Sequence, residues 1–218
     1  MKRTLSFLPQ KFKKGNMVHD LIKKRYSTRT FSEKLIDSDI ILSLFEAARW
    51  APSGGNEQPW RFIIAGKNDP ENYWKIFSAI NEGNKLWAIN APLLVVGVTK
   101  LERGIDKKLN KYAFYDLASA VANLTLQATS KNLYVRQMGG FNPLIIRELF
   151  DIPENFEPAI VLAAGYKTEE SNIPENLMMR EKAPRQRKPL SEIVFSGKFG
   201  TPADLVKQKE EEQVKEEK

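Results

Sequence analysis

The chain has 218 residues, 42% apolar and 28% charged, a balance that supports one well-buried core and excludes a disordered polymer. It contains no cysteine, which excludes disulfides, thiol nucleophiles and thiolate metal sites. The formal net charge of +7 is unevenly spread, so a bound anion and a nucleic-acid surface both have to be weighed.

Residues 1–16 read as a basic N-terminal extension, whose start, Met1 to Phe7, lacks the apolar stretch of a secretory signal. Met17 to Tyr26 reads as a short helix with Val18, Leu21 and Ile22 on one face; the single histidine, His19, lies there as a surface or packing residue. A Ser/Thr-rich connection, Ser27 to Phe31, follows. Asp37 or Ser38 can cap a second helix, in which Ile41, Leu44, Phe45 and Ala48 keep helical spacing until Pro52 ends it. Arg61 to Ala65 is strand-like, and Glu71 to Ile80 suggests a helix carrying Tyr73, Trp74 and Phe77. Leu93 to Val98 is an unbroken apolar strand, buried on both faces. The apolar run that contains it, Ala91 to Val98, is far short of the roughly 20 residues of a membrane helix, so no membrane partner is expected and a cytoplasmic protein is.

Tyr115 to Asn132 carries the broadest helical stripe: Leu117, Ala120, Val121, Leu124 and Ala128. Gly139 and Gly140 break the chain before a helix, Leu144 to Phe150, and a strand, Ala159 to Ala164. The end, Gln208 to Lys218, is a Glu/Lys tail. Residues 17–200 therefore read as one domain of helices packed on a sheet, with residues 201–218 as a charged tail.

Four segments carry polar groups in suggestive order. In Arg25-Tyr26-Ser27-Thr28-Arg29 an extended backbone would aim both arginines and the serine to one side, as a phosphate or an electron-rich ring edge requires. Pro52-Ser53-Gly54-Gly55-Asn56-Glu57-Gln58-Pro59-Trp60 turns sharply and offers neutral donors and acceptors. Arg136-Gln137-Met138-Gly139-Gly140-Phe141 lets backbone amides meet a ligand, and Arg185-Gln186-Arg187-Lys188 adds a second basic cluster. Each also has a plain reading: a solvated basic connection, a turn that satisfies its own backbone, an ordinary Gly-Gly bend, an exposed loop. The basic residues lack the interleaved aromatics that stack bases, so no nucleic acid is expected.

Taken in order from Met17 to Val194, these motifs resemble the nitroreductase family of FMN-dependent oxidoreductases. The resemblance implies an α+β fold: a central mixed, largely antiparallel β-sheet flanked by helices, the domain completed across a homodimer that holds two FMN molecules at its interface. It implies that Arg25 and Ser27 reach the phosphate and ribityl chain, with Arg29 at the pyrimidine edge, where a cation stabilises the negative charge of reduced flavin. Pro52, Ser53, Gly54 and Asn56 would come from the other subunit, with Gln58 close by. Met138, Gly139 and Gly140 would pass the N5 edge, Asn84 would contact the ring, and Arg185 and Arg187 would complete the phosphate site. Some members carry an acidic residue where this chain has Gly139, so its N5 contact is expected to be purely main-chain.

The resemblance further implies ping-pong transfer from NADH or NADPH to a small electron-poor acceptor, a nitroaromatic or a quinone. The reductant would bind transiently, because the glycine-rich dinucleotide fingerprint is missing. No catalytic side chain and no metal is expected, since the flavin carries the chemistry. Reductive dehalogenation, flavin fragmentation, dehydrogenation, or flavin binding without turnover stay open as alternatives on the same fold.

Overall fold

A computed structural model describes residues 18–169 and 173–206. The extension over residues 1–16, Met17 and the Glu/Lys tail from residue 208 on lie outside them. The chain divides into two compact units, one ending at Glu181 and one beginning at Lys182.

In the first unit the helices begin where the sequence offers a cap. α1 (Asp20–Lys24) starts at His19, whose Nδ1 accepts from the Leu21 amide at 3.2 Å. It is shorter than the spacing suggests, because Arg25 leaves helical geometry at ψ 122°, and Val18 and Ile22 stay exposed. α2 (Ser38–Arg49) is capped by Asp37, which accepts from Asp39 N at 2.8 Å, and it buries Leu44 and Ala48. β1 (Trp60–Gly66) leads to α3 (Pro70–Ser78), with Asp69 as cap and proline in the first turn, and then to α4 (Glu82–Ala88). β2 (Leu93–Lys100) is followed by a small hairpin of β3 (Glu102–Arg103) and β4 (Lys108–Leu109), then by α5 (Ala113–Ser130). β5 (Tyr134–Met138), α6 (Pro143–Leu149), β6 (Phe156–Gly165) and α7 (Glu175–Lys182) complete the order.

The main sheet has the order β1-β2-β6-β5, and each pairing in it is antiparallel. Strand alternation divides the interior in two. Leu94, Val96 and Val98 of β2 and Val161 and Ala163 of β6 face a core closed by Tyr73, Ile76 and Phe77 of α3, Trp87 of α4 and Ile146 of α6. Leu93 and Val95, with Leu162 and Ala164, face α2 and α5 through Leu44, Ala48, Leu117, Ala120, Val121 and Leu124. Each large side chain buried this way stabilises the fold by about 1.5–3 kcal/mol. Gly97 interrupts the apolar strand for a steric reason: a Cβ there would meet Ile160 Cγ2 at 2.7 Å, beside the register shift between Gly97 and Val98.

The second unit, taken by itself, contains a 3-10 turn over Leu190–Glu192 and a bridge between Phe195 and Pro202.

Candidate functional site

The segment after α1 is clasped from two distant parts of the chain. The Arg25 guanidinium donates to Ser27 Oγ at 3.0 Å, so these two side chains do share a side. The Ser27 carbonyl accepts a hydrogen bond from the Arg136 guanidinium, which comes from β5. Thr28 and Thr30 turn inward and are buried. Glu181, on α7, is buried too: one oxygen accepts from the Thr28 hydroxyl at 2.6 Å, the other from the Arg29 amide at 2.9 Å. The Arg29 guanidinium stands 3.9 Å from that second oxygen, a loose ion pair. The Tyr26 hydroxyl donates to the Glu181 carbonyl. Burial and the Glu181 charge raise the Tyr26 pKa, and burial together with Arg29 lowers that of Arg136.

Two guanidiniums, Arg29 and Arg136, therefore stand near one carboxylate, Glu181, while Arg25 is held at Ser27. The excess of half-buried positive charge suits a phosphate or the electron-rich edge of a ring.

β5 joins this corner to the Gly-Gly bend. Arg136 and Met138 are two residues apart on one strand, hence on one face, and Met138 itself is buried in the α3/α4/α6 core. Only its backbone can serve a ligand. The Gly140 carbonyl accepts from Asn81 N at 3.0 Å and from Asn84 Nδ2 at 3.3 Å, so α4 pins the bend. At Gly140 a Cβ would approach Asn84 Nδ2 to 3.0 Å; at Gly139, which is exposed, it would meet nothing within 4 Å. The backbone there is open to a flat ligand.

The turn between α2 and β1 is wired mostly to itself. Ser53 Oγ accepts from Gln58 N at 3.0 Å, and Gln58 Nε2 donates to Asn56 Oδ1 at 3.1 Å. Gly55, Asn56 and Gln58 all have positive φ (61°, 56° and 46°), a conformation that glycine and asparagine adopt most easily. A distant side chain holds the turn: buried Asp116, in the first turn of α5, accepts from Gly54 N at 3.1 Å. Pro52 and Asn56 are exposed, and Ser53 and Gly54 half-buried.

The turn and the arginine corner lie at opposite corners of the sheet. The turn enters β1, one edge strand, beside Thr99 and Lys100; Arg136 stands on β5, the other edge strand, opposite Ala163. Three strand spacings across the sheet and the rise from Phe156 to Ala163 along it separate them by roughly 27 Å. Within one subunit they do not face each other.

Arg185 and Arg187 belong to the second unit and are exposed; the Arg187 guanidinium donates to the Gln186 carbonyl at 2.6 Å. Trp60 is buried. Trp74, half-exposed, lines a cavity of about 420 Å³ with Glu33, Lys67, Pro70, Tyr73, Ile89 and Asn90, and no candidate residue lines it. Sequence reasoning missed Arg136, Glu181 and Asp116 as members of these sites. Asp116 did leave a signal, a carboxylate set inside the apolar stripe of α5; Glu181 left none.

A family model described as the nitroreductase family matches residues 22–166. A protein of Archaeoglobus fulgidus, named as a candidate NADH dehydrogenase/NAD(P)H nitroreductase, is 31% identical and covers 71% of this chain and 88% of its own. A crystal structure described as an oxidoreductase containing FMN is 33% identical, with a TM-score of 0.79 over 84% of this chain and 92% of that one. Human iodotyrosine deiodinase 1 is 23% identical over 84% of this chain and 70% of its own length.

Proposed function

The chain belongs to the nitroreductase family, and from that premise we propose that it is an FMN-dependent oxidoreductase acting as a homodimer in the cytoplasm. Bound FMN would supply ping-pong hydride and electron transfer from NADH or NADPH to an electron-poor small molecule, a nitroaromatic or a quinone. The cofactor-binding domain is taken as residues 17–200, and neither nucleic acid nor membrane is a proposed partner. Among the described residues no helix is long and apolar enough to cross a membrane.

One observation carries the reading: the neutral turn and the arginine corner occupy opposite corners of one subunit, so a single ligand would use both only where two subunits meet. The residues present fit the cofactor. The two cations Arg29 and Arg136 beside one carboxylate, Glu181, answer a phosphate dianion and an electron-rich ring edge, and open Gly139 admits a flat ring against the backbone. In this assignment Arg25 and Ser27 hold the phosphate and ribityl chain. Arg29 stands at the pyrimidine edge, and Asn84 and the Met138–Gly140 backbone border the ring. The second subunit contributes Pro52, Ser53, Gly54 and Asn56, with Gln58 bracing the turn and Asp116 holding it. Exposed apolar side chains on and just after α2 and on α5, including Leu42, Trp50, Phe114 and Tyr115, offer the surface such a dimer would bury.

The test is a visible spectrum of the purified protein after incubation with FMN, followed by anaerobic NADH or NADPH. Flavin absorbance that bleaches, then returns on adding a nitroaromatic or quinone, is the expected result. Protein that retains no flavin would sink the proposal, and flavin that no reductant bleaches would leave a binding protein without turnover. The likeness to iodotyrosine deiodinase 1 favours a second reading, reductive dehalogenation of an aromatic substrate, which an iodinated aromatic in the same assay distinguishes.

A further inference from the structure

Arg136 is the most unusual charge in the first unit. It stands on β5 with its guanidinium carbon 5.2 Å from the centroid of the buried Trp87 ring, and it donates to the Ser27 carbonyl. These two contacts are with a neutral carbonyl and an aromatic face, and the charge that favours its protonated form is that of nearby Glu181. The oxygens of Glu181 are already engaged by the Thr28 hydroxyl and the Arg29 amide. A second guanidinium, Arg29, is close enough to disfavour its protonated form. Glu181 supplies one negative charge against two half-buried cations, which leaves room for a second anion beside them.

We propose that Arg136 is a positioning residue of the flavin site: through the Ser27 carbonyl it sets the course of the Ser27–Arg29 segment, and its charge, added to that of Arg29, makes the site hold reduced FMN more tightly than oxidised FMN. This rests on the FMN reading given above. The strand makes the arrangement possible, because Arg136 and the Met138–Gly140 bend share β5 and its continuation. One rigid element thus fixes both the cationic corner and the backbone proposed for the N5 edge.

The test compares FMN dissociation constants of the full chain, for oxidised and for dithionite-reduced flavin, in wild type, Arg136→Gln and Arg136→Lys. Glutamine can still donate to the Ser27 carbonyl but lacks the charge; lysine keeps the charge without the planar fork. In Arg136→Gln, reduced FMN should weaken about tenfold more than oxidised FMN, the scale of one charged contact. In Arg136→Lys the ratio of the two constants should stay near that of wild type. A merely structural role would weaken both forms equally in Arg136→Gln, and that result, or no loss at all, would overturn the proposal. Should the glutamine variant fail to fold, a ratio in Arg136→Lys shifted as far as tenfold overturns it, and an unchanged ratio supports it. Wild-type chain that binds FMN in neither form would remove the functional reading and this role together.

Discussion

The two corners of the sheet that could touch a ligand are built on opposite plans. The Ser53–Gln58 turn is neutral and largely self-bonded, held to the rest of the molecule by Asp116. The Arg25–Arg29 segment has little regular structure, and its shape depends on Arg136 and Glu181, more than a hundred residues further along the chain. A local turn can be altered without unfolding the protein. A clasp that closes over long sequence separation couples the site to the fold.

That contrast sets an order of mutational cost. Glu181→Ala should cost the most, about 2–4 kcal/mol, because it strands the Thr28 hydroxyl and the Arg29 amide and leaves buried positive charge unanswered. Urea unfolding measures it, and a loss below about 0.5 kcal/mol would mean the clasp is decorative. Asp116→Ala should cost about 1–3 kcal/mol by releasing the Gly54 amide, and Asp116→Asn, which keeps an acceptor, should recover part of this. If Asp116→Ala were the costlier of the two, the turn rather than the arginine corner would be the one tied to the fold.

Asn56→Ala should fall lower on the stability scale, within about 1 kcal/mol, since it loses one exposed hydrogen bond and places alanine at a positive φ. Flavin retention should nonetheless drop, as followed by fluorescence after gel filtration. Retention equal to wild type would remove the turn from the site. The smallest effect expected is at high pH. The folded-state pKa of Tyr26 is raised above the ordinary tyrosine value, chiefly by burial and then by the Glu181 charge. Its contribution is therefore fully present below about pH 10 and is lost as pH rises through the higher folded value. Tyr26→Phe should lack this alkaline increment of destabilisation while matching the rest of the wild-type pH profile.

Much of this architecture was legible in the residues. The cap at Asp37 and the stripes of α2, α3 and α5 follow from local periodicity and from side-chain bonds within one turn. So does β2, whose unbroken apolar run matches a strand buried on both faces. β5 and α4 were not foreseen. β5 carries Arg136 and Gln137 in five residues, so neither alternation nor an apolar run marks it; α4 begins Glu-Gly-Asn and buries only Trp87 and Ala88. At the site, the Gly-Gly bend and the Pro-Ser-Gly-Gly-Asn turn announced themselves because their geometry demands particular residues. Arg136 and Glu181 did not, because what singles them out is who their neighbours are after folding. The expected opening helix is shorter than its pattern for a related reason: with Val18 and Ile22 exposed, tertiary burial does not extend it.

The central claim is that each flavin site takes its cationic corner from one subunit and its neutral turn from the other. The direct measurement mixes two defective chains, Arg25→Ala and Asn56→Ala, under conditions that exchange subunits, and quantifies bound FMN. Each mixed dimer would contain one site with both residues intact, so FMN binding should rise well above that of either variant alone. No recovery on mixing, with exchange confirmed by mass-tagged chains, would place both residues in the same subunit's site and contradict the account.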